Sequence, residues 1–409
     1  MKALVKAWTT ATRLACLLVV CSGGAALGQT LPSGPIVLDD GRVTIAGDVS
    51  ATKGTSDPGF FNYTDYEHSA LNMLRVDISG SFKAGDHVSF LGELRTENVD
   101  TIQPYALYVR IRPWTNRNFD IQAGRVPPTF GAFARRTYAS DNLLIGYPLA
   151  YQYLTSIRPD SLPASADDLL RMRGRGWLSS FPIGNVTPDR GVPLVSAFRW
   201  DTGVQVHTGT DLIDATGSVT AGTVSNPLFT DDNAGKQLAG RVAVHPTAGL
   251  VAGASWARGP FVSQTAARGA VGDGHDGEFT QTAWGADAEY SRDYYLVRVE
   301  TIVSRWKLPL VRAPWIGSPL QSVATSVEGR YKILPGLYAA ARLDHLGFSE
   351  VTGTDRTDTW DAPVTRFEIG GGYSLQRNLL LKFEYQHDSR DGGLVRTFNP
   401  VAVQLVYWF

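Results

Sequence analysis

From residue 42 to the C-terminus the sequence divides into segments of about ten residues in which apolar and polar side chains alternate. In the first, Val43, Ile45 and Val49 oppose Arg42, Thr44, Asp48 and Ser50; in the second, Leu74, Val76, Ile78 and Phe82 oppose Arg75, Asp77, Ser79 and Ser81. The connections alternate too. Short ones at 83–85, 246–249, 291–292, 332–335 and 375–377 are interleaved with long ones at 52–70, 225–235, 259–277, 307–319, 349–363 and 388–397. A soluble sandwich has no need of that rhythm. An up-and-down transmembrane barrel with both ends on one side requires it, along with an even number of strands. The pattern predicts an all-β, antiparallel sixteen-stranded barrel, with strands at 42–51, 71–82, 88–97, 103–112, 118–125, 196–208, 215–224, 236–245, 250–258, 278–290, 293–306, 320–331, 337–348, 364–374, 378–387 and 398–409.

The last strand carries the same signal in concentrated form. Val401, Val403, Leu405, Tyr407 and Phe409 share one face, Ala402 and Gln404 the other, and the chain stops on the aromatic. An apolar strand at a free end is an aggregation hazard in water, but a closed barrel in lipid needs a strand to seal it. It is expected to pair antiparallel with 42–51, with Gln404 facing the lumen and Tyr407 and Phe409 in the periplasmic aromatic girdle.

The N-terminus points to export. Lys2, Lys6 and Arg13 precede the apolar run 14–20, and Ala26 and Gly28 supply small residues for cleavage after Gly28. This is expected to divide the chain into a signal peptide (1–28), a short periplasmic lead (29–41) and one barrel (42–409); the terminal strand ending on Phe409 resembles the closing strand of bacterial outer-membrane barrels, which implies a place among outer-membrane lipid and lipopolysaccharide. A lipoprotein signal at Cys21 is disfavoured by the bulky Val20 before it. Cys16 and Cys21 both fall in the signal, so no disulfide holds the exported chain. A formal net charge of −1 gives nucleic acid no basic surface to bind. After the signal, no apolar run is long enough for a spanning helix, and a mean hydropathy of −0.10 is what alternating lipid-facing and water-facing residues average to.

A barrel of this size encloses space for water. Arg298 with Glu300, Glu328 with Arg330, Arg342 with Asp344, Arg366 with Glu368, and Lys382 with Glu384 share the inward phase of five successive strands. Charge facing lipid is costly, so this face is expected to be wet. The residues serve either as a polar pore wall or as a ladder of cross-strand ion pairs.

Periodicity is lost between 126 and 194, in the third long connection. The stretch is rich in aromatics (Phe130, Phe133, Tyr138, Tyr147, Tyr151, Tyr153, Trp177, Phe181) and needs something to bury against. Folded into the lumen it becomes a constriction loop. Ser165 followed by Asp168 predicts a short helix start. From 125 to 190 arginine outnumbers aspartate eight to five, with no Lys or Glu, and the guanidinium fork suits carboxylate or phosphate. The candidate constriction residues are Arg125, Arg135, Arg136, Arg158, Arg171, Arg173 and Arg175, with Asp167 and Asp168 in the loop and Arg110 and Arg112 on the nearby wall. Arg171, Arg173 and Arg175 alternate, so an extended run would present them together. Two roles stand open: biasing passage toward anions, or tying the loop to acidic wall residues.

Taken together, the signal peptide, sixteen strands, long third loop and terminal Phe resemble the bacterial general and substrate-selective porins. The segment Ala123-Gly-Arg-Val-Pro-Pro-Thr-Phe-Gly131 is similar to the Gly-Arg…Pro-Phe-Gly stretch of the phosphate-selective porin O/P-like group, although Thr129 intervenes and the loop has no lysine cluster. The resemblance implies passive diffusion of small hydrophilic solutes or anions through a homotrimer. No catalytic or metal pattern competes with it. The seven histidines are scattered with no His-x-x-x-His pair, no Gly-x-Ser-x-Gly occurs, and Gly272–Glu278 lacks the spacing of a calcium loop, so no cofactor is implied. The alternatives are a surface-binding or adhesion barrel with a blocked lumen, and an outer-membrane hydrolase.

Overall fold

Sixteen antiparallel strands close on themselves in the computed structural model, which describes residues 31–409 other than 64–67, 177–179, 188–189, 198–199, 276 and 318. The expected signal peptide lies outside the described residues, as do Trp177 and Asp189. The strands are β1 (Val43–Gly54), β2 (Asn72–Lys83), β3 (Val88–Glu97), β4 (Thr101–Ile111), β5 (Asn118–Val126), β6 (Asp201–Gly209), β7 (Ile213–Thr220), β8 (Gln237–Thr247), β9 (Leu250–Pro260), β10 (Thr280–Arg292), β11 (Tyr295–Trp306), β12 (Leu320–Leu334), β13 (Leu337–Phe348), β14 (Val364–Gln376), β15 (Leu379–Arg390) and β16 (Val401–Trp408). Each pairs with its neighbours in sequence, and the ring closes where Asp48–Gly54 of β1 meets Ala402–Trp408 of β16.

Closure is made by the aromatic end. Phe409 and Gly47 exchange backbone hydrogen bonds of 3.0 and 3.1 Å. A Cβ on Gly47 would lie 2.5 Å from the Phe409 ring, so glycine lets that ring lie against β1. Below this point β16 has ended, and the edge of Val43–Ile45 is instead covered by Ile36–Leu38, which fold back as a short antiparallel strand. The lead therefore extends the seal and leaves no open edge there.

The terminal strand takes the expected faces. Val401, Val403 and Leu405 are exposed on the outside, while Gln404 is buried inside and donates to Thr52 Oγ1 at 2.9 Å. At the short-turn end, aromatic rings gather: Phe82 with Phe90 and Tyr295 with Tyr331 across neighbouring strands, and Tyr407 with Phe409 at the end of β16.

The connection from β5 to β6 enters the barrel. It contains the helices α1 (Leu149–Gln152) and α2 (Ala166–Arg171), and a strand pair joining Ser161–Leu162 to Ile183–Gly184. At α2 the Ser165 side chain caps the Asp168 N–H, as the spacing predicts. A third helix, α3 (Gln264–Val271), stands in the connection after β9, a stretch the sequence pattern had assigned to plain loop; it is capped by Ser263. The loop's apolar side chains, including Phe130, Phe133, Tyr151, Leu162 and Leu169, pack with Trp306, Trp360 and Phe398 into one interior cluster. Burial of this kind is what holds so long a connection in one conformation.

Candidate functional site

The first part of the long loop is held from opposite walls. At one end, the Ala132 N–H donates to Glu300 Oε1 on β11 at 2.7 Å, and the Gly131 N–H donates to Ser255 Oγ on β9 at 3.1 Å. At the other, the Tyr138 hydroxyl donates to Glu93 Oε2 on β3 at 2.5 Å, and the Ser140 N–H donates to Asp48 Oδ2 on β1 at 3.1 Å. In a ring of sixteen, β3 and β11 stand eight strands apart and so face each other. Residues 131–140 therefore span the lumen.

The next stretch lies on the charged wall, and here the sequence expectation needs correction. Of the ten charges read as a wet face, Glu328, Arg342, Asp344, Arg366, Glu368, Lys382 and Glu384 are buried. Lys382 Nζ donates to the carbonyls of Ala139 at 2.5 Å and Asn142 at 2.6 Å. Arg342 donates to the Gly146 carbonyl at 2.7 Å, and Glu384 accepts from the Ile145 N–H. Arg342 also pairs with Glu328 and Glu368, and Arg366 with Asp388. Irregular backbone brings polar groups that need partners once water is excluded, and the wall charges supply them. The cross-strand ladder is present, with the loop laid over it.

Charge remains half-exposed where residues 132–136 meet β10 to β12. Arg136 donates to Glu289 Oε2 at 2.6 Å; Arg298 donates to the same oxygen at 2.9 Å and to Glu328 Oε1 at 3.1 Å. Burial, and then the like charge of Arg298, lower the Arg136 pKa from its ordinary value. A recess of about 370 Å³, open to solvent, is lined here by Phe133, Arg136, Pro148, Asp287, Glu289 and Arg298. Asp287 and Glu289 were not among the candidate residues. Their alternation in β10, in the inward phase that faces Arg298, was the signal for them.

Not all the other candidates come together at this point. Arg158 is buried and donates to the Gly176 carbonyl at 2.7 Å, inside the loop. Arg173 binds Thr359, Asp358 and Asp391 in the connections flanking β14 and β15. Arg171 is exposed beside Asp168, which Arg312 also approaches at 3.7 Å. Arg175 is exposed as well. The extended run predicted for Arg171 to Arg175 does not form. α2 ends at Arg171, and the chain turns through Gly174 (φ 68°), with the Arg175 N–H bonded to the Met172 carbonyl. Asp167 accepts from the backbone and hydroxyl of Thr354. Arg125 lies over the Phe229 ring at the top of β5. Arg110 sits low on the wall, 3.9 Å from Asp120, and Arg112 is exposed at the short-turn end, so among the described residues neither joins the loop arginines. Arg135 belongs to a single 3-10 turn, Phe133–Arg135; its side chain lies outside the described residues.

Asp361 has no counterpart in the sequence reading. It is fully buried and accepts from the N–H groups of Ser156 and Gly174, both at 2.7 Å, locking the long loop to the connection before β14. Burial raises its pKa, and the hydrogen bonds from Gly174, Ala362 and Ser156 oppose the rise.

No family model and no curated protein matches the sequence. The architecture does match solved structures. OmpT, an outer membrane protein of Vibrio cholerae, aligns over 91% of this chain and 100% of its own, at 12% identity and a TM-score of 0.53. An anion-selective porin from Comamonas acidovorans aligns over 90% and 99% at 11% identity and 0.53. The outer membrane channel DcaP of Acinetobacter baumannii aligns over 91% and 99% at 14% identity and 0.52. The chain has the porin fold. Identities this low carry the fold alone, and they do not single out the phosphate-selective group. Segment 131–140 crosses the lumen of this fold, and Arg136, Glu289 and Arg298 are joined beside it.

Proposed function

We propose that the chain forms a water-filled outer-membrane channel for passive diffusion of small hydrophilic solutes, with residues 131–148 as its constriction. The observation that carries this reading is the tethering of residues 131–140 between facing walls, beside a half-exposed charged recess. Arg136 and Arg298 stand at the recess among Asp287, Glu289, Glu300 and Glu328, and Arg171 and Arg312 are exposed at the long-loop end; these are the cations through which an anion bias would act. One porin of the same fold is described as anion-selective. Residues 1–28 direct export, and the short-turn end then faces the periplasm. A homotrimer is the proposed assembly, since OmpT of Vibrio cholerae is described in a trimer form.

One observation favours a second reading, a barrel used for surface binding with a filled lumen. Residues 143–159 of the loop are buried without a break, and Tyr147, Leu149, Tyr151, Tyr153 and Ile157 among them join the interior cluster. Planar-bilayer recording of the purified protein separates the two. Stable ohmic steps whose reversal potential shifts toward that of chloride in a KCl gradient support the anion-biased channel. A folded barrel without steps selects the second reading.

A further inference from the structure

The outer face of the barrel carries an ordered patch on β9, β10 and β11. Strand register sets Arg258, Thr282 and Arg305 side by side in one row near the long-loop end. Trp256 and Trp284 form the row beneath. Below them lie Ala254 with Ala286, and then Ala252 with Ala288. Arg258, Arg305, Trp256 and Trp284 are all exposed, while their sequence neighbours Ala257, Ala283 and Trp306 are buried inside. Arg305 is held in place: its guanidinium lies 5.3 Å from the centroid of the Trp284 ring, and its Nε donates to Gln321 Oε1 at 2.7 Å.

Arginine on the outside of a membrane barrel is costly at mid-depth and nearly free at the interface. Two in one row, above paired tryptophans, mark the level of the headgroups. Arg258 and Arg305 are separated by two strand spacings, about 10 Å, so both side chains can reach one phosphate, with the Thr282 hydroxyl between them. Guanidinium is the side chain best matched to phosphate. The vertical order of the patch is charge, then aromatic ring, then a smooth strip of alanine, which is the order of groups along one amphiphile.

We propose that this patch binds a phosphorylated lipid of the surrounding leaflet. Arg258 and Arg305 clasp its phosphate, and the alanine strip below Trp256 and Trp284 takes an acyl chain. The inference rests on the outer-membrane placement of the porin fold and is independent of whether the lumen conducts.

The test uses the folded barrel in detergent micelles with diphosphoryl lipid A as the probe, bound lipid being counted by native mass spectrometry. Circular dichroism checks that each variant is folded. Wild type should retain lipid A after dilution. Arg258→Gln/Arg305→Gln should retain at least fivefold less. Lys53→Gln, which alters an exposed lysine on β1 across the barrel, should behave as wild type. Equal retention by the double variant overturns the proposal. Displacement of lipid A by millimolar inorganic phosphate overturns it in favour of a simple anion site. If the double variant loses an oligomer by light scattering while retaining lipid A, the patch is an interface between copies and the proposal fails.

Discussion

At the scale of single residues, the arginines of the long loop do two kinds of work that composition cannot separate. Arg173 reaches Thr359 Oγ1 at 2.9 Å, Asp391 Oδ2 at 3.1 Å and Asp358 Oδ1 at 3.3 Å, so its fork joins three segments. Arg171, two residues away, is exposed and touches Asp168 alone among the contacts described for it. Arg173→Ala should strand several acceptors, cost about 1–3 kcal/mol, lower the thermal midpoint and broaden any open-channel noise. Arg173→Lys should recover little of this, because an ammonium cannot span the same fork. Arg171→Ala should leave the midpoint unchanged. The proposed anion bias is tested most directly at the recess. Arg136→Gln together with Arg298→Gln leaves Glu289 without its two cations, so the reversal potential in a KCl gradient should move from the chloride side toward potassium. An unmoved potential would remove Arg136 from the filter.

At the scale of elements, the latch between the long loop and the connection before β14 turns on Asp361. Replacing it with Ala leaves the N–H groups of Ser156 and Gly174 without their acceptor, at about 1–3 kcal/mol each. Proteolysis of the folded barrel should then cut near 156 or 174, where the parent chain resists. Acid should not open this latch. Burial raises the Asp361 pKa in the folded state, so the folded barrel gains stability as pH falls through that value toward 3.8 and loses it as pH rises. The nearby contact of Asp167 with Thr354 has the opposite sign. Hydrogen bonds from Thr354 lower that carboxyl below 3.8, so its contribution is full above 3.8 and disappears as pH falls further. Amide exchange at Thr354 and at Gly174 should therefore diverge as pH is lowered, after correction for intrinsic rates. These elements show what was legible in the sequence. The barrel strands repeat one two-residue rule, so their order, the seal between β1 and β16, and the inward phase of Gln404 could be read directly; the ends of β6 and β7, expected at 196–208 and 215–224, lie at Asp201–Gly209 and Ile213–Thr220, because the rule fades where the long loop joins the wall. The cap at Ser165 is equally local, and so was visible. Asp361 was not, because its role depends on which loop reaches it from 187 and 205 residues away. The burial of Lys382 and Glu384 was missed for the same reason: alternation shows which side a charge faces, but not what lies against it.

At the scale of the whole molecule, the barrel and its filling obey different physics, and they can be separated. The wall is held by antiparallel ladders whose registers involve only neighbouring strands. The filling is held by apolar burial and by charges that point inward from β11 to β15. Replacing residues 132–194 with a short Gly/Ser linker would remove the second without breaking the first. The wall charges would then meet water, which suits them better than an empty apolar interior, and Arg342 with Glu328 and Glu368 would remain a cross-strand ladder. Trp306 and Leu320, now exposed to the lumen, would lose their cover, so the variant should be less stable than the parent. It should still fold, with strand content and heat-modifiable migration retained, and its conductance should exceed the parent's severalfold. Its ion preference should fall toward that of bulk KCl, because the wall left behind carries both signs. If the variant cannot form a barrel, the filling is the core on which the wall is built. If it folds with the parent's conductance, the narrowest point lies outside residues 132–194.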